Sequence, residues 1–239
     1  MIEPVIAADL SRIAASERDV RGAFQPGFEP ESNVVARPPK VARTQDPLSV
    51  AAPEGAYFLT ADRTGTITFS RNGAFSVRDD ELCSSEGSPA LGFAVGEHRK
   101  LGALRVDRYD AALGRVANAR IEPDGTFAYT RMSVDPRSGE RRAERVTVGR
   151  LALGRFPAGT QPDRIDAAHV RAPEGVTPEL GVPDEGRFKA LATYSRDLGR
   201  VDIVAGLEKM KEAYVAYEAL RSAHHVRGSL EKTALDLVK

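Results

Sequence analysis

The chain has 239 residues, enough for one good-sized domain or two modest ones with a real core. Its 34 Lys and Arg balance 34 Asp and Glu, so there is no global pull toward nucleic acid or an anionic membrane, which argues against a dedicated nucleic-acid binder. Cys83 is the only cysteine, which excludes an internal disulfide and leaves a cysteine-built zinc site without its other thiolates. Aromatics are 6% with no Trp, whereas 21 Gly and 15 Pro point to many turns and short strands.

The first residues, Met1-Ile2-Glu3-Pro4, lack a basic n-region and a long apolar h-region. No stretch approaches the roughly 18 apolar residues of a membrane span. The expectation is therefore no membrane span and no cleavable signal peptide. Apolar residues then fall at Ile6, Leu10, Ile13, Val20 and Phe24, spaced 4, 3, 7 and 4, a heptad pattern that fits one amphipathic helix of about six turns. Such a helix alone in water is marginal and expects a partner.

From Gln25 to Pro47 the pattern stops at Pro26, Gly27, Pro30, Pro38, Pro39 and Pro47. The stretch 25–47 reads as an extended connector or as a disordered loop. Residues 48–199 carry short strands with turn punctuation: Ala56–Thr60, the turn Asp62–Gly65, Thr66–Ser70, the pair Asn72-Gly73, then Ala74–Val77. Arg120–Glu122, the Asp124-Gly125 turn, Thr126–Tyr129 and Arg145–Leu153 continue the pattern. After Arg200 the period returns to helical, with Val201, Val204, Leu207, Met210, Tyr214 and Tyr217 spaced 3, 3, 3, 4 and 3, and Gly228 as a weak point. The expected fold is a mainly β central domain (48–199) with N- and C-terminal α-helices (1–24 and 200–239) that pair or form coiled-coil contacts.

Several strings, in order along most of the chain, resemble the bacterial flagellar rod and hook protein family. Tyr57-Phe58-Leu59-Thr60 is similar to the family's "G-F-F-V-V", and Thr68-Phe69-Ser70-Arg71-Asn72-Gly73-Ala74-Phe75-Ser76-Val77 to its "Y-T-R-A-G-x-F-x-x". Leu82 with Glu86–Gly92 resembles "L-V-T-x-x-G-x-P-V-L-G". Ile121–Thr126 looks like "I-x-x-D-G-T", and Gly149–Leu153 with Phe156 like "G-x-I-x-L-x-x-F". Val201-Asp202 with Leu207–Met210 resembles "S-N-V-D-x-x-x-E-M", and Tyr217-Glu218-Ala219 resembles "R-x-Y-E". The family's Asn-rich helix ending is reduced here to Pro26-Gly27-Phe28-Glu29, Gly199-Arg200 stands where "S-N" is usual, and Glu81 replaces a frequent glycine, so the resemblance is to a divergent member or a specialised paralogue.

The resemblance implies a structural subunit, not an enzyme, needing no cofactor or metal. Its expected partners are copies of itself, other flagellar axial proteins and the flagellar export apparatus. Its expected place is the periplasmic section of the basal-body rod. Room for about one β domain favours rod over hook, with proximal and distal types left open. Subunit packing falls on Ile6, Leu10, Ile13, Val20, Phe24, Val204, Leu207, Met210, Tyr214 and Tyr217. Fold-specifying roles fall on Phe58, Gly65, Phe69, Gly73, Phe75, Gly92 and Gly125: Gly73 for a hairpin reversal, Gly92 to let the chain turn away, and Phe69 with Phe75 in one core.

Reactive chemistry finds little support in the residues. His224 and His225 are adjacent, about 100° apart on a helix, and cannot easily share a metal. His98 and His169 stand alone in turn-rich stretches and read as surface residues, and Cys83 reads as a small semi-buried thiol with no His to pair. Asp79-Asp80-Glu81 lacks the spacing of a calcium loop and reads as a solvated hairpin turn. Arg137–Arg145 alternates with Glu140 and Glu144 and reads as a solvated hairpin. The rival reading is a self-contained β-rich binding or chaperone-like module whose end helices pair as a stalk; a hydrolase with an unrecognised site stands third.

Overall fold

The computed structural model describes residues 3–22, 28, 40–96, 100–134, 139–166, 168–199 and 202–237. The chain is mainly β, with helices near its two ends. The helices are α1 (Glu3–Gly22), the short α2 (Arg108–Ala112) and α3 (Ile203–Leu237). The strands are β1 (Lys40–Arg43), β2 (Val50–Ala51), β3 (Ala56–Ala61), β4 (Ile67–Ser70), β5 (Phe75–Arg78), β6 (Glu81–Ser84), β7 (Leu91–Ala94), β8 (Leu101–Ala103) and β9 (Val116–Ile121). After them come β10 (Thr126–Val134), β11 (Arg141–Leu151), β12 (Leu153–Arg155), β13 (Asp163–Arg164), β14 (His169–Arg171), β15 (Glu179–Gly181), β16 (Ala192–Thr193) and β17 (Ser195–Leu198). α1 and α3 belong to one compact unit, and the strands, α2 and Phe28 to another.

In the β unit a six-stranded sheet runs β13-β14-β4-β3-β12-β15 and a five-stranded sheet β8-β7-β11-β10-β9, with ribbons β1-β17, β2-β16 and β5-β6 beside them. Every pair among the described residues is antiparallel, and β3-β4, β5-β6, β7-β8, β9-β10, β10-β11 and β13-β14 join strands consecutive in the chain. β3 explains why there are two apolar clusters. Phe58 and Leu59 are neighbours, so the pleat sends them to opposite faces, and both are 0% exposed. Phe58 joins the larger cluster with Phe75, Phe127, Leu151 and Leu153; Leu59 joins the smaller one with Phe69, Leu91, Ala152 and Val170. Burying each such side chain contributes about 1.5–3 kcal/mol. Phe69 and Phe75 therefore sit in different clusters, against the expectation of one shared core, while Phe58 and Phe75 meet edge to face at 5.2 Å.

Gly65 and Gly125 occupy turns at φ 81°, where a side chain would strain the backbone. Gly73 and Gly92 serve otherwise than expected. β4 pairs with β3, and β5 with β6, so no hairpin reverses at Gly73. A Cβ there would lie 1.8 Å from the Val50 carbonyl oxygen and 2.8 Å from the Phe58 ring. Gly92 lies inside β7, between β8 and β11, where a Cβ would come 2.2 Å from the Arg150 carbonyl oxygen. Both glycines let two backbones approach; neither makes a turn there.

The hairpin of β5 and β6 turns on Asp79 and Asp80, at φ 49° and 64°. Two consecutive left-handed residues make the turn whose twist matches the flanking strands, and glycine suits it better than aspartate. Asp80→Gly should raise stability by about 0.5–1 kcal/mol, seen as a higher denaturant midpoint with an unchanged slope. A lower midpoint would show that the Asp80 side chain supports the turn.

Two features depart from the segment boundaries read from sequence. Lys40–Arg43, inside the stretch taken as connector or loop, is strand β1, in register with Ser195–Leu198. Phe28, also in that stretch, is 3% exposed, with the Arg164 guanidinium 4.8 Å above its ring. At the opposite extreme of order, β11 pairs with β7 only over Gly149–Leu151, so its edge from Arg141 to Thr147 has no strand beside it among the described residues.

Candidate assembly surface and buried polar groups

α3 begins with a capped turn: the Asp202 carboxylate accepts from the N–H groups of Val204 at 3.0 Å and Ala205 at 3.2 Å. It then runs unbroken through Gly228. α1 lies against the first part of α3, closely enough that a Cβ on Gly206 would meet the Val20 side chain at 2.9 Å. Arg12, Ser16 and Asp19 of α1 and Lys209, Ala213 and Ala216 of α3 line a groove of about 490 Å³ between them. Small and charged side chains alike line it. At 100° per residue, Gly206 and Ala213 share a face of α3, Leu207 and Tyr214 flank it, and Val204 points away.

The residues assigned to subunit packing divide accordingly. Ile6, Ile13, Val20, Met210 and Tyr217 are half-buried. Leu10 (47%), Val204 (62%), Leu207 (46%) and Tyr214 (56%) are exposed. Phe24 lies outside the described residues. Gly206, which meets Val20 of α1, and Ala213 stand seven residues apart on α3, a spacing that returns to the same face. From Arg221 to Leu230 every residue is exposed, Val226 and Leu230 included. Val204, Val215 and Val226, all exposed, repeat every eleven residues, a spacing that keeps them in one row along the helix.

The β unit buries several polar side chains, among them Asp110, His169 and the pair Arg71 and Asp197. Asp110, 1% exposed, accepts from the Tyr129 hydroxyl at 2.7 Å and from Arg131 Nε at 2.5 Å, while Arg131 Nη2 reaches Asp107 at 3.1 Å. Burial pushes the Asp110 carboxyl up, but the hydrogen bonds from Tyr129 and Arg131 outweigh it and hold the group below the usual carboxylate range. Burial and the bond to Asp110 push the Tyr129 phenol up.

His169 is not a surface residue. It is 6% exposed on β14, its Nδ1 3.0 Å from both Asp166 carboxylate oxygens and its Nε2 buried with no hydrogen-bond partner among the described residues. Burial raises Asp166, yet the Ala168 N–H and the His169 ring hold it below the ordinary range. The third group pairs Arg71 with Asp197. Cys83 is buried, and that burial, with Glu81 nearby, pushes its thiol up and away from the reactive thiolate. His224 and His225 are exposed on α3, and His98 lies outside the described residues. Among the described residues no three His, Cys, Asp or Glu converge to hold a metal ion, and no helix is long and apolar enough to cross a membrane.

No protein-family model and no curated protein matches the chain.

Proposed function

We propose that the chain is a structural subunit of a bacterial flagellar basal-body rod, polymerising into a helical axial structure that transmits torque. In this reading α1 and α3 form coiled-coil contacts with each other and with neighbouring copies as the inner tube, and the β unit forms the outer layer. Its partners are further copies, other axial proteins and the export apparatus, and its place is the periplasmic section of the rod. The observation that carries the reading is the exposure of large apolar side chains along α3: Val204, Leu207, Tyr214, Val215, Val226 and Leu230. A helix in water draws most of its stability from packing an apolar face, and residues 221–230 are exposed throughout. Contacts that repeat head to tail without closing produce a filament.

Leu207→Asp places a charge on this surface and leaves the α1-facing residues Gly206, Ala213 and Ala216 in place. It should abolish sedimentable assembly, with the amides of β3 and β10 protected as in the parent chain. Assembly at the parental level would overturn the reading. The packing of α1 on α3 within one chain favours the other reading, a β-rich binding or chaperone-like module with a helical stalk. Hydrogen exchange on the monomer separates the two: fast exchange over 221–230 accompanies the axial subunit, and strong protection there the stalk.

A further inference from the structure

The chain reaches α3 through β17, which the Ser195 N–H, bonded to the Ser49 carbonyl at 3.1 Å, ties to the β unit at its first residue. Its strand partner is β1, four residues in a two-stranded ribbon, and such a ribbon is marginal without further packing. The ribbon buries no large apolar side chain: Val41 is 47% exposed, and the buried side chains of β17 are Ser195 and Asp197. Ser195 turns its hydroxyl back to the Thr193 carbonyl at 3.0 Å. Asp197 reaches out of the ribbon instead.

Its Oδ2 lies 2.7 Å from Arg71 Nε and 2.6 Å from Arg71 Nη2, with the side chains 1% and 2% exposed. Arg71 follows β4 directly, and its guanidinium also donates to the carbonyls of Ala56 at 2.8 Å, Ala52 at 3.3 Å and Pro53 at 3.4 Å. One planar fork thus joins the end of β4, the β2–β3 connection and β17. The other carboxylate oxygen, Oδ1, is buried with no hydrogen-bond partner among the described residues, so there the side chain is held through Oδ2.

We infer that the Arg71–Asp197 pair is a latch that fixes to the β unit the strand leading to α3. With the pair intact, a load on α3 passes through β17 into β4 and the backbone ahead of β3. With it broken, the ribbon keeps its four backbone pairings and the Ser195–Ser49 bond at one end but holds a buried charge without its partner, and it detaches before the apolar clusters yield.

The test is hydrogen exchange on the full chain carrying Asp197→Asn. Amides of 40–43 and 195–198 should exchange at least about tenfold faster, while those of Phe58, Leu59, Phe127 and Tyr129 change less than about threefold. Arg71→Lys keeps the cation and loses the fork, so it should show the same local pattern at smaller size, and it carries the test alone should Asp197→Asn fail to fold. Equal acceleration in ribbon and core would make the pair an ordinary part of the core, and an unchanged ribbon would show that it holds nothing; either result overturns the latch.

Discussion

Replacing Gly73 by alanine should destabilise the β unit by about 3 kcal/mol or more, a fall in melting temperature of roughly 6–12 °C for a chain of this size. The added methyl would stand 1.8 Å from the Val50 carbonyl oxygen and 2.9 Å from its carbon, and backbone cannot swing aside as a flexible side chain can. Moving Val50 breaks the bond from its N–H to the Gly73 carbonyl at 2.9 Å and disturbs the Ser49–Ala74 bridge. It also shifts a side chain that is 0% exposed in the larger cluster. Gly102→Ala is the control, because nothing lies within 4 Å of a Cβ there and its φ is ordinary. A melting temperature unchanged in Gly73→Ala as well would show that the two backbones do not meet.

The second large effect belongs to Asp110. Asp110→Ala leaves the Tyr129 hydroxyl buried without its acceptor, costing about 1–3 kcal/mol, and removes the anchor that Arg131 uses. Because the Asp110 carboxyl is held below its ordinary value, its contribution is complete above about pH 4 and is lost as pH falls further. The Tyr129 phenol is held above its ordinary value, so that contribution is complete below about pH 10 and is lost as pH rises beyond it. The parent chain should thus lose stability at both extremes. Asp110→Ala should be less stable at pH 7 and show a shallower decline as pH falls below about 4. Parallel acid declines in the two proteins would refute the assignment.

What the sequence displayed was local. The turns at Asp62–Gly65 and Asp124-Gly125 announce themselves through residues two or three apart, and the structure closes them with bonds from Gly65 N–H to Asp62 and from Gly125 N–H to Glu122. Tyr57-Phe58-Leu59 displays a strand buried on both faces by its unbroken apolar run. The ribbon did not show, because Lys40-Val41-Ala42-Arg43 has no alternation and its partner lies at the far end of the β unit. Gly73 and Gly92 looked like turn residues because glycine is common in turns; the backbones they admit belong to Val50 and Arg150, which the local pattern does not reveal. His169 looked solitary until β13 and β14 folded Asp166 onto it. On α3 the apolar period was legible, and its residues divide between half-buried Met210 and Tyr217 and exposed Val204, Leu207 and Tyr214.

The uncovered edge of β11 has a bearing on solubility. From Arg141 to Thr147 no strand lies beside it among the described residues, and such an edge elsewhere invites a passing strand to add on and start an aggregate. Here four of the first five residues are charged, Arg141, Arg142, Glu144 and Arg145, and all of them are exposed. A second copy sliding alongside would have to strip water from this row and crowd its arginines together. The hairpin can therefore stand out from the sheet at high protein concentration without recruiting other chains along its side.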